Sequence, residues 1–223
     1  MKELLSNIKI VVPENIYSKD PESSELGKKI LKNSIDLILD IGFEDFTFKK
    51  LGAKIGSNES SIYRYFDNKH KLLVYLSCWY WAWLEYQLVI ETHSIASSKE
   101  KLNVALRVLT RTVKEDSRNT HINEAALSKI MINENFKCFL TKEVDKENKE
   151  GYFESYKRLV NRLALIIESV NPQYQYPKSF ASTIIETGLY QNFLKDHFMG
   201  ITDCNGTLSP TDFLTDLVDK TLK

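Results

Sequence analysis

The sequence contains few of the residues that interrupt helices. Its 223 residues include only 8 glycines and 5 prolines, and several of the prolines stand where a helix is expected to begin or to have ended. Strand patterns are equally scarce, since only residues 8–12 ("IKIVV") form a short apolar run that could pair or simply pack. The chain is therefore predicted to be all-α.

Cysteine and net charge are also in short supply. The three cysteines, Cys78, Cys138 and Cys204, are far apart and form no CxxC or Cys/His pattern, so neither a disulfide framework nor a metal site is predicted. A reducing, cytoplasmic location is expected, because the N-terminus has no long apolar segment with a cleavage site. The formal net charge is zero, which excludes a global field that attracts nucleic acid or membrane.

Motifs that bind cofactors or carry catalysis are missing. The sequence has no GxGxxG, Walker, GxSxG or HExxH pattern, and its four histidines are scattered. No enzyme, cofactor or metal is therefore predicted.

One apolar stretch is long enough to cross a bilayer. Residues 72–90, "LLVYLSCWYWAWLEYQLVI", have Ser77, Glu85 and Gln87 as their clearly polar positions. Glu85 would lie in or near the hydrocarbon, and the Tyr and Trp residues of the stretch prefer membrane interfaces. A helix buried inside a helical protein is predicted instead, and no membrane partner is expected.

Helix start and stop signals divide the N-terminal third. Asp20 and Pro21 mark a helix start, and Gly42 is expected to end that helix with a left-handed cap. Thr47 is the expected N-cap of a second helix that stops at Gly56, and Asn58 caps a third. Three helices with this tight turn are typical of a helix-turn-helix. Further helices are predicted at residues 69–92, 98–116, 121–134, 136–147, 151–170, 178–199 and 210–222.

Residues 28–73, "KKILKNSIDLILDIGFEDFTFKKLGAKIGSNESSIYRYFDNKHKLL", resemble the N-terminal domain of TetR-type transcriptional regulators. The similarity lies in the spacing of the glycines, of the Thr47 cap and of the segments "IYRYF" and "NKHKLL". The departures are Gly52, where Ala is usual, and Ser57, where an apolar residue is usual; both are expected to loosen the turn slightly. The leader, residues 1–24, is either an arm on DNA or a cover on the domain, and its four acids against three lysines favour the cover.

The resemblance implies that the third helix reads DNA, and the residue types fit that role. Serine and tyrosine hydroxyls can bond phosphate oxygens or base edges, and lysines hold phosphates. Ile62 and Phe66 are expected in the core instead. The predicted DNA contacts are Thr47, Lys49, Glu59, Ser60, Ser61, Tyr63, Arg64, Tyr65 and Lys69. Residues 25–75 hold nine Lys or Arg and seven Asp or Glu, a weak local basic excess.

The aromatic stripe of residues 72–90 suggests one wall of a pocket for a small, mainly apolar ligand. Trp79, Trp83, Glu85 and Tyr86 are the candidate ligand-binding residues; the alternative is a filled aromatic core without a cavity. A carboxylate in so apolar a helix needs a partner. Arg107 or Arg111 is one expectation for Glu85; exposure to water or contact with a cationic ligand are the others.

The resemblance further implies a homodimer, formed by the helices at 178–199 and 210–222, that binds a double-stranded, palindromic operator and acts as a ligand-responsive repressor. The expected division is an N-terminal extension (1–24), a helix-turn-helix domain (25–70), and a helical ligand-binding and dimerisation domain (71–223). Two alternatives stay open: a protein of this fold regulated by protein contact without a small molecule, and a helical small-molecule enzyme.

Overall fold

A computed structural model describes residues 10–113 and 121–223, and this part of the chain is helical without a strand. The all-α prediction is therefore confirmed. Of the apolar run at 8–12, residues 8 and 9 lie outside the described part and residues 10–12 form no strand. The α-helices of the described residues are α1 (Glu25–Asp45), α2 (Phe48–Ile55), α3 (Glu59–Tyr63), α4 (Lys69–Thr92), α5 (Ser98–Thr110), α6 (Glu124–Glu134), α7 (Phe136–Phe139), α8 (Val144–Lys149), α9 (Glu154–Val170), α10 (Pro177–His197) and α11 (Pro210–Thr221).

The chain forms two compact units. Of the described residues, the first unit contains 10–80, 113 and 121–154, and the second contains 81–112 and 155–223. The long helix α4 contributes its first half to the first unit and its second half to the second. Residues 121–154 thus lie in the same unit as the N-terminal helices, although they follow the boundary expected at residue 70.

Helix α1 has the buried face that its sequence predicts. Ile30, Leu31, Ile35 and Ile38 are buried, whereas Leu39 is exposed. The helix is capped by Ser24, whose hydroxyl accepts from the backbone amide of Gly27. The Asp20 and Pro21 start signal belongs instead to a separate 3-10 turn, Pro21–Ser23, in which the Asp20 side chain accepts from the Glu22 amide.

Gly42 bends the end of α1. Its φ of 76° and ψ of 159° lie outside the left-handed helical region and in a region that side chains with a Cβ rarely adopt. The expected left-handed cap is therefore corrected to a kink, after which Phe43 and Phe46 turn into the core of the first unit.

The described part of the leader packs on the first unit. Ile16 is buried, the Ser18 amide donates to the Tyr65 carbonyl at 2.8 Å, and the Ser24 hydroxyl lies 2.8 Å from the Tyr65 hydroxyl. The Glu22 carboxylate meets His121 Nε2 at 2.8 Å. Residues 10–24 thus take the covering position that their charge favoured.

Helix α4 is the aromatic helix expected at 69–92. Trp79, Trp81 and Tyr80 are buried along it, together with Glu85. Within the described residues, no helix combines the length and the apolar character needed to span a bilayer.

The later helices differ from expectation at two places. Helix α5 ends at Thr110, where Arg111 becomes extended. Residues 114–116 of the helix expected at 98–116 lie outside the described part. The helix expected at 136–147 is divided, because Leu140 takes non-helical angles (φ −82°, ψ 56°) after α7. Helix α11 begins as predicted, with Ser209 in a capping box with Asp212 and Pro210 in the first turn.

Candidate nucleic-acid interface

Helices α2 and α3 form the predicted helix-turn-helix, and their ends are capped as the sequence indicates. Thr47 accepts from the Lys50 amide at 3.2 Å, and Gly56 ends α2 in the left-handed conformation at φ 66° and ψ 37°. Gly52 has a tighter requirement. A Cβ there would lie 2.8 Å from the Ser57 carbonyl oxygen, so the glycine permits a close approach of the turn and does not loosen it.

Asn58 organises the start of α3. Its Oδ1 accepts from the Ser61 amide at 2.8 Å, from the Ser60 hydroxyl at 2.9 Å and from the Ser61 hydroxyl at 2.6 Å. Both serine protons are therefore directed at Asn58. The oxygens of Ser60 and Ser61 remain acceptors, so these hydroxyls are better placed to receive a hydrogen bond from a base amino group than to donate one to phosphate.

Tyr63 and Glu59 act as a pair on the exposed side of α3. Tyr63 is half exposed and packs edge-on against Phe48 with ring centroids 5.0 Å apart. Partial burial, together with the charge of Glu59, raises the pKa of the Tyr63 hydroxyl. The two residues are four apart, which is one helical turn.

Two cations stand free beside this helix. Lys49 and Arg64 are exposed, and neither side chain makes a hydrogen bond or ion pair with another residue in the described ranges. Thr47, Lys49, Tyr63 and Arg64 therefore present hydroxyls and positive charge on the surface of one helix-turn-helix, which is the chemistry that phosphate contacts require.

Tyr65 does not share that surface. Only 3% of it is exposed, its hydroxyl meets the Ser24 hydroxyl, and the Lys19 ammonium lies 5.1 Å from its ring centroid. The DNA contact expected of Tyr65 is corrected to a packing role beside Ile62 and Phe66, which are fully buried as expected. The reason is the leader, which covers the C-terminal end of α3.

The Lys69 ammonium uses two of its hydrogen-bond donors within the protein. Its ammonium donates to the carbonyls of Phe43 and Glu44 at 3.0 Å and 2.8 Å and lies 4.8 Å from the Phe43 ring centroid. An ammonium has three donors, so one remains for a phosphate. The predicted phosphate contact is reduced to a single donor, with the others holding the kinked end of α1 against α4.

The aromatic residues expected to line a ligand pocket are distributed over α4. Trp79 is buried in the first unit, and Trp83 and Tyr86 are partly buried in the second. The Tyr86 hydroxyl is enclosed and has no hydrogen-bond partner among the described residues. A cavity of about 120 Å³ exists elsewhere in the second unit, lined by Lys99, Leu102, Asn103, Val170, Val218, Asp219, Leu222 and Lys223. It contains none of the four predicted ligand-binding residues.

Glu85 has two cationic partners, and neither is one that the sequence suggested. It is 8% exposed; Arg158 Nε donates to it at 3.0 Å and Arg162 Nε at 2.5 Å. Arg107 and Arg111 instead pair with Glu91. The expectations of Arg107, Arg111 or water as the partner of Glu85 are thus corrected.

Sequence inspection missed the polar contacts of the first unit that join distant segments. Lys71 donates to the Asn15 carbonyl at 3.2 Å and also contacts the Tyr152 hydroxyl, and His70 meets Glu147 at 2.9 Å. The partners are separated by 56 to 81 residues, and no periodic pattern connects them. The sequence shows that basic residues follow α3, but it does not show that their side chains contact other parts of the protein.

Comparison with known proteins confirms the resemblance at the N-terminus. Residues 30–76 match the family described as "Bacterial regulatory proteins, tetR family". No curated protein matches the chain.

Solved structures share the fold over most of the chain. AibR in complex with isovaleryl coenzyme A and operator DNA is 19% identical, with a TM-score of 0.58, 86% of this chain covered and 96% of that chain. A regulatory protein in the tetR family from Rhodococcus RHA1 is 13% identical, with a TM-score of 0.61 and coverages of 89% and 96%. The superantigen PfiT is 14% identical, with a TM-score of 0.62 and coverages of 92% and 99%. The fold alone therefore does not determine function, and DNA contact depends on the α2–α3 surface.

Proposed function

We propose that this chain, a TetR-type regulatory protein by its N-terminal domain and its fold, represses transcription by binding a palindromic operator as a homodimer and releasing it when a small ligand binds. The coarser statement, a DNA-binding regulator, follows from the family match of residues 30–76 and from the neighbouring structures. The repressor role, the palindrome, the dimer and the ligand are the proposal.

The observation that carries the proposal is the exposed polar surface of the helix-turn-helix. Thr47 and Lys49 on α2 and Tyr63 and Arg64 at the end of α3 are exposed, while Ile62 anchors α3 in the core. A recognition helix must place its polar side chains on bases and its flanking cations on phosphates. This arrangement of one anchored and one polar face supports DNA contact by Thr47, Lys49, Glu59, Ser60, Ser61, Tyr63, Arg64 and the remaining donor of Lys69.

Exposed apolar residues of the second unit support the homodimer. Phe180, Ile184, Leu214 and Val218 are buried within the unit and account for one side of α10 and α11. Other large apolar residues of the same region remain exposed, namely Tyr190, Phe198, Met199, Ile201, Leu208 and Phe213. A short recognition helix reads few base pairs, so two copies on two half-sites are needed for specific binding.

A small, mainly apolar ligand is proposed as the regulator, with Trp83 and Tyr86 as candidate contacts. The AibR structure contains isovaleryl coenzyme A together with operator DNA, which supports the binding of a small ligand by a protein of this fold. Such a ligand lowers operator affinity only to the extent that it binds the DNA-free conformation more tightly. Because DNA is the partner, the proposal places the protein in the cytoplasm.

The test is selection of duplexes from a random pool, followed by titration of the selected duplex at several salt concentrations. Arg64→Ala and Lys49→Ala are each expected to weaken binding and to lower the slope of log affinity against log salt by about one unit. Lys178→Ala, which removes an exposed lysine from the second unit, is the control and is expected to leave both unchanged. Failure of the pool to yield any enriched duplex, or equal losses in all three variants, would overturn the proposal.

A further inference from the structure

Glu85, Arg158 and Arg162 form a cluster in the second unit, the Glu85 cluster, whose net charge is positive. One carboxylate, 8% exposed, meets two guanidinium groups from one face of α9, Arg158 and Arg162. Each arginine donates its Nε to Glu85. The cluster therefore has a formal charge of one positive unit, since an arginine stays protonated in proteins.

The terminal nitrogens of these arginines are almost unused. Arg158 makes one long contact of 3.5 Å from its Nη2 to the Ser155 hydroxyl, and the terminal nitrogens of Arg162 contact no acceptor within the described residues. The two side chains are 49% and 50% exposed. The end of each guanidinium that binds carboxylates and phosphates in a two-pronged geometry is thus accessible to solvent.

A second cluster of the same composition in the same unit behaves differently. Glu91 is contacted by Arg111 through both terminal nitrogens, at 2.6 Å and 3.3 Å, and by Arg107 Nη2 at 3.8 Å. There the carboxylate consumes the terminal nitrogens of Arg111. A glutamate whose charge only needs to be neutralised can be bound through the terminal nitrogens, as Glu91 is. Glu85 is bound through the Nε atoms instead, so the terminal nitrogens of Arg158 and Arg162 stay open to another acceptor.

We propose that Arg158 and Arg162, oriented by Glu85, bind an anionic oxygen group, a carboxylate or a phosphate, on the exposed side of α9. The two residues are four apart, so their guanidinium groups lie on neighbouring turns of one helix. An anion bound to both forks balances the residual charge of the cluster and gains charge-assisted hydrogen bonds. The sign is opposite to that of the cationic ligand that Glu85 alone suggested.

The binding of an anion stands independently of the DNA proposal, but its role as the regulating ligand rests on the proposed function. Glu85 lies on α4, the helix that also carries Lys69 and Lys71 in the first unit. A group that draws the two guanidiniums toward itself changes their contacts with Glu85, and through them the environment of α4.

The test is calorimetric titration of the full-length protein with two probes, inorganic pyrophosphate and octanoate. Binding of pyrophosphate alone identifies a phosphate site, and binding of octanoate alone identifies a carboxylate site; either supports the proposal. Arg162→Gln is expected to lower the affinity for the bound probe about tenfold or more, since a charge-assisted hydrogen bond to the anion is lost. Arg111→Gln makes the same charge change in the same unit, and its affinity is expected to stay within about twofold of wild type.

Arg162→Lys keeps the charge and removes the fork, so it separates geometry from charge. It is expected to weaken binding nearly as much as Arg162→Gln, and it serves as the test variant if Arg162→Gln fails to fold. Wild-type affinity in Arg162→Lys, equal losses in Arg162→Gln and Arg111→Gln, or no binding of either probe to the wild type overturns the proposal. Operator binding without any probe is measured in parallel, so that loss of the DNA proposal is recognised separately.

Discussion

The Glu59 side chain has opposite effects on folding and on DNA binding. An acid in the first turn of a helix is favourable to folding because of the helix dipole, but beside phosphates it opposes binding. In this structure the charge of Glu59 also helps to raise the pKa of the Tyr63 hydroxyl four residues later. The Ser60 and Ser61 hydroxyls, oriented by Asn58, already offer neutral groups to base edges, which favours a screening role for Glu59 over base recognition.

Glu59→Gln is therefore expected to raise affinity for a cognate and a scrambled duplex about equally, by roughly two- to fivefold, because one negative charge near the phosphates is lost. The measurement is the affinity of both duplexes at one salt concentration. Glu25→Gln removes the corresponding first-turn acid of α1 and is expected to change neither affinity. A loss confined to the cognate duplex would show instead that Glu59 reads a base.

The sequence predicts the partner of a side chain when that partner is close in the chain, and not when it is distant. The Thr47, Asn58 and Ser209 caps were predictable, because each bonds an amide three residues later. Tyr65 and Glu85 were not, because the leader covers the first and the arginines of the second stand 73 and 77 residues away. No local pattern reports a contact of that separation.

At the scale of elements, the helices were predictable from apolar spacing and their ends from capping residues, but the backbone at two points was not. Gly42 was expected to end α1 in a left-handed cap and instead kinks it. The division at Leu140 breaks a segment whose composition gives no stop signal. In both cases the surrounding fold overrides the local preference.

The α2–α3 turn gives a prediction at this scale. Gly52→Ala places a Cβ 2.8 Å from the Ser57 carbonyl oxygen, a backbone atom that cannot move without shifting the start of α3. Overpacking of this kind costs about 1–3 kcal/mol, and operator affinity should fall with it. The measurements are denaturant unfolding and DNA titration.

Gly200→Ala is the matched control, because a Cβ at Gly200 meets nothing within 4 Å. It is expected to leave both quantities unchanged. If Gly52→Ala is as stable as the wild type, the turn tolerates alanine, and the glycine has the looser role that its departure from the family pattern first suggested.

At the scale of the whole molecule, two compact units share helix α4. The first unit exposes the polar surface of the helix-turn-helix, and the second exposes a set of large apolar residues. The zero net charge means that DNA affinity must come from the local placement of Lys49, Arg64 and their neighbours. It also means that association between copies is not opposed by a large charge of one sign.

The proposed homodimer gives the last prediction. Phe213 lies on α11 and is 43% exposed, next to residues that are buried within the unit. If a second copy covers it, Phe213→Asp places a charge in an apolar interface, where an unpaired carboxylate is strongly unfavourable. The variant is expected to sediment as a monomer at micromolar concentration and to lose operator affinity, while its circular dichroism stays helical.

Leu165→Asp is the control. It introduces the same charge at a more exposed apolar residue of the same unit, 64% exposed on α9, and should remain dimeric with unchanged operator affinity. A wild-type protein that is monomeric both alone and on DNA contradicts the homodimer outright. A dimer that survives Phe213→Asp but dissociates with Leu165→Asp would move the interface from α11 to α9.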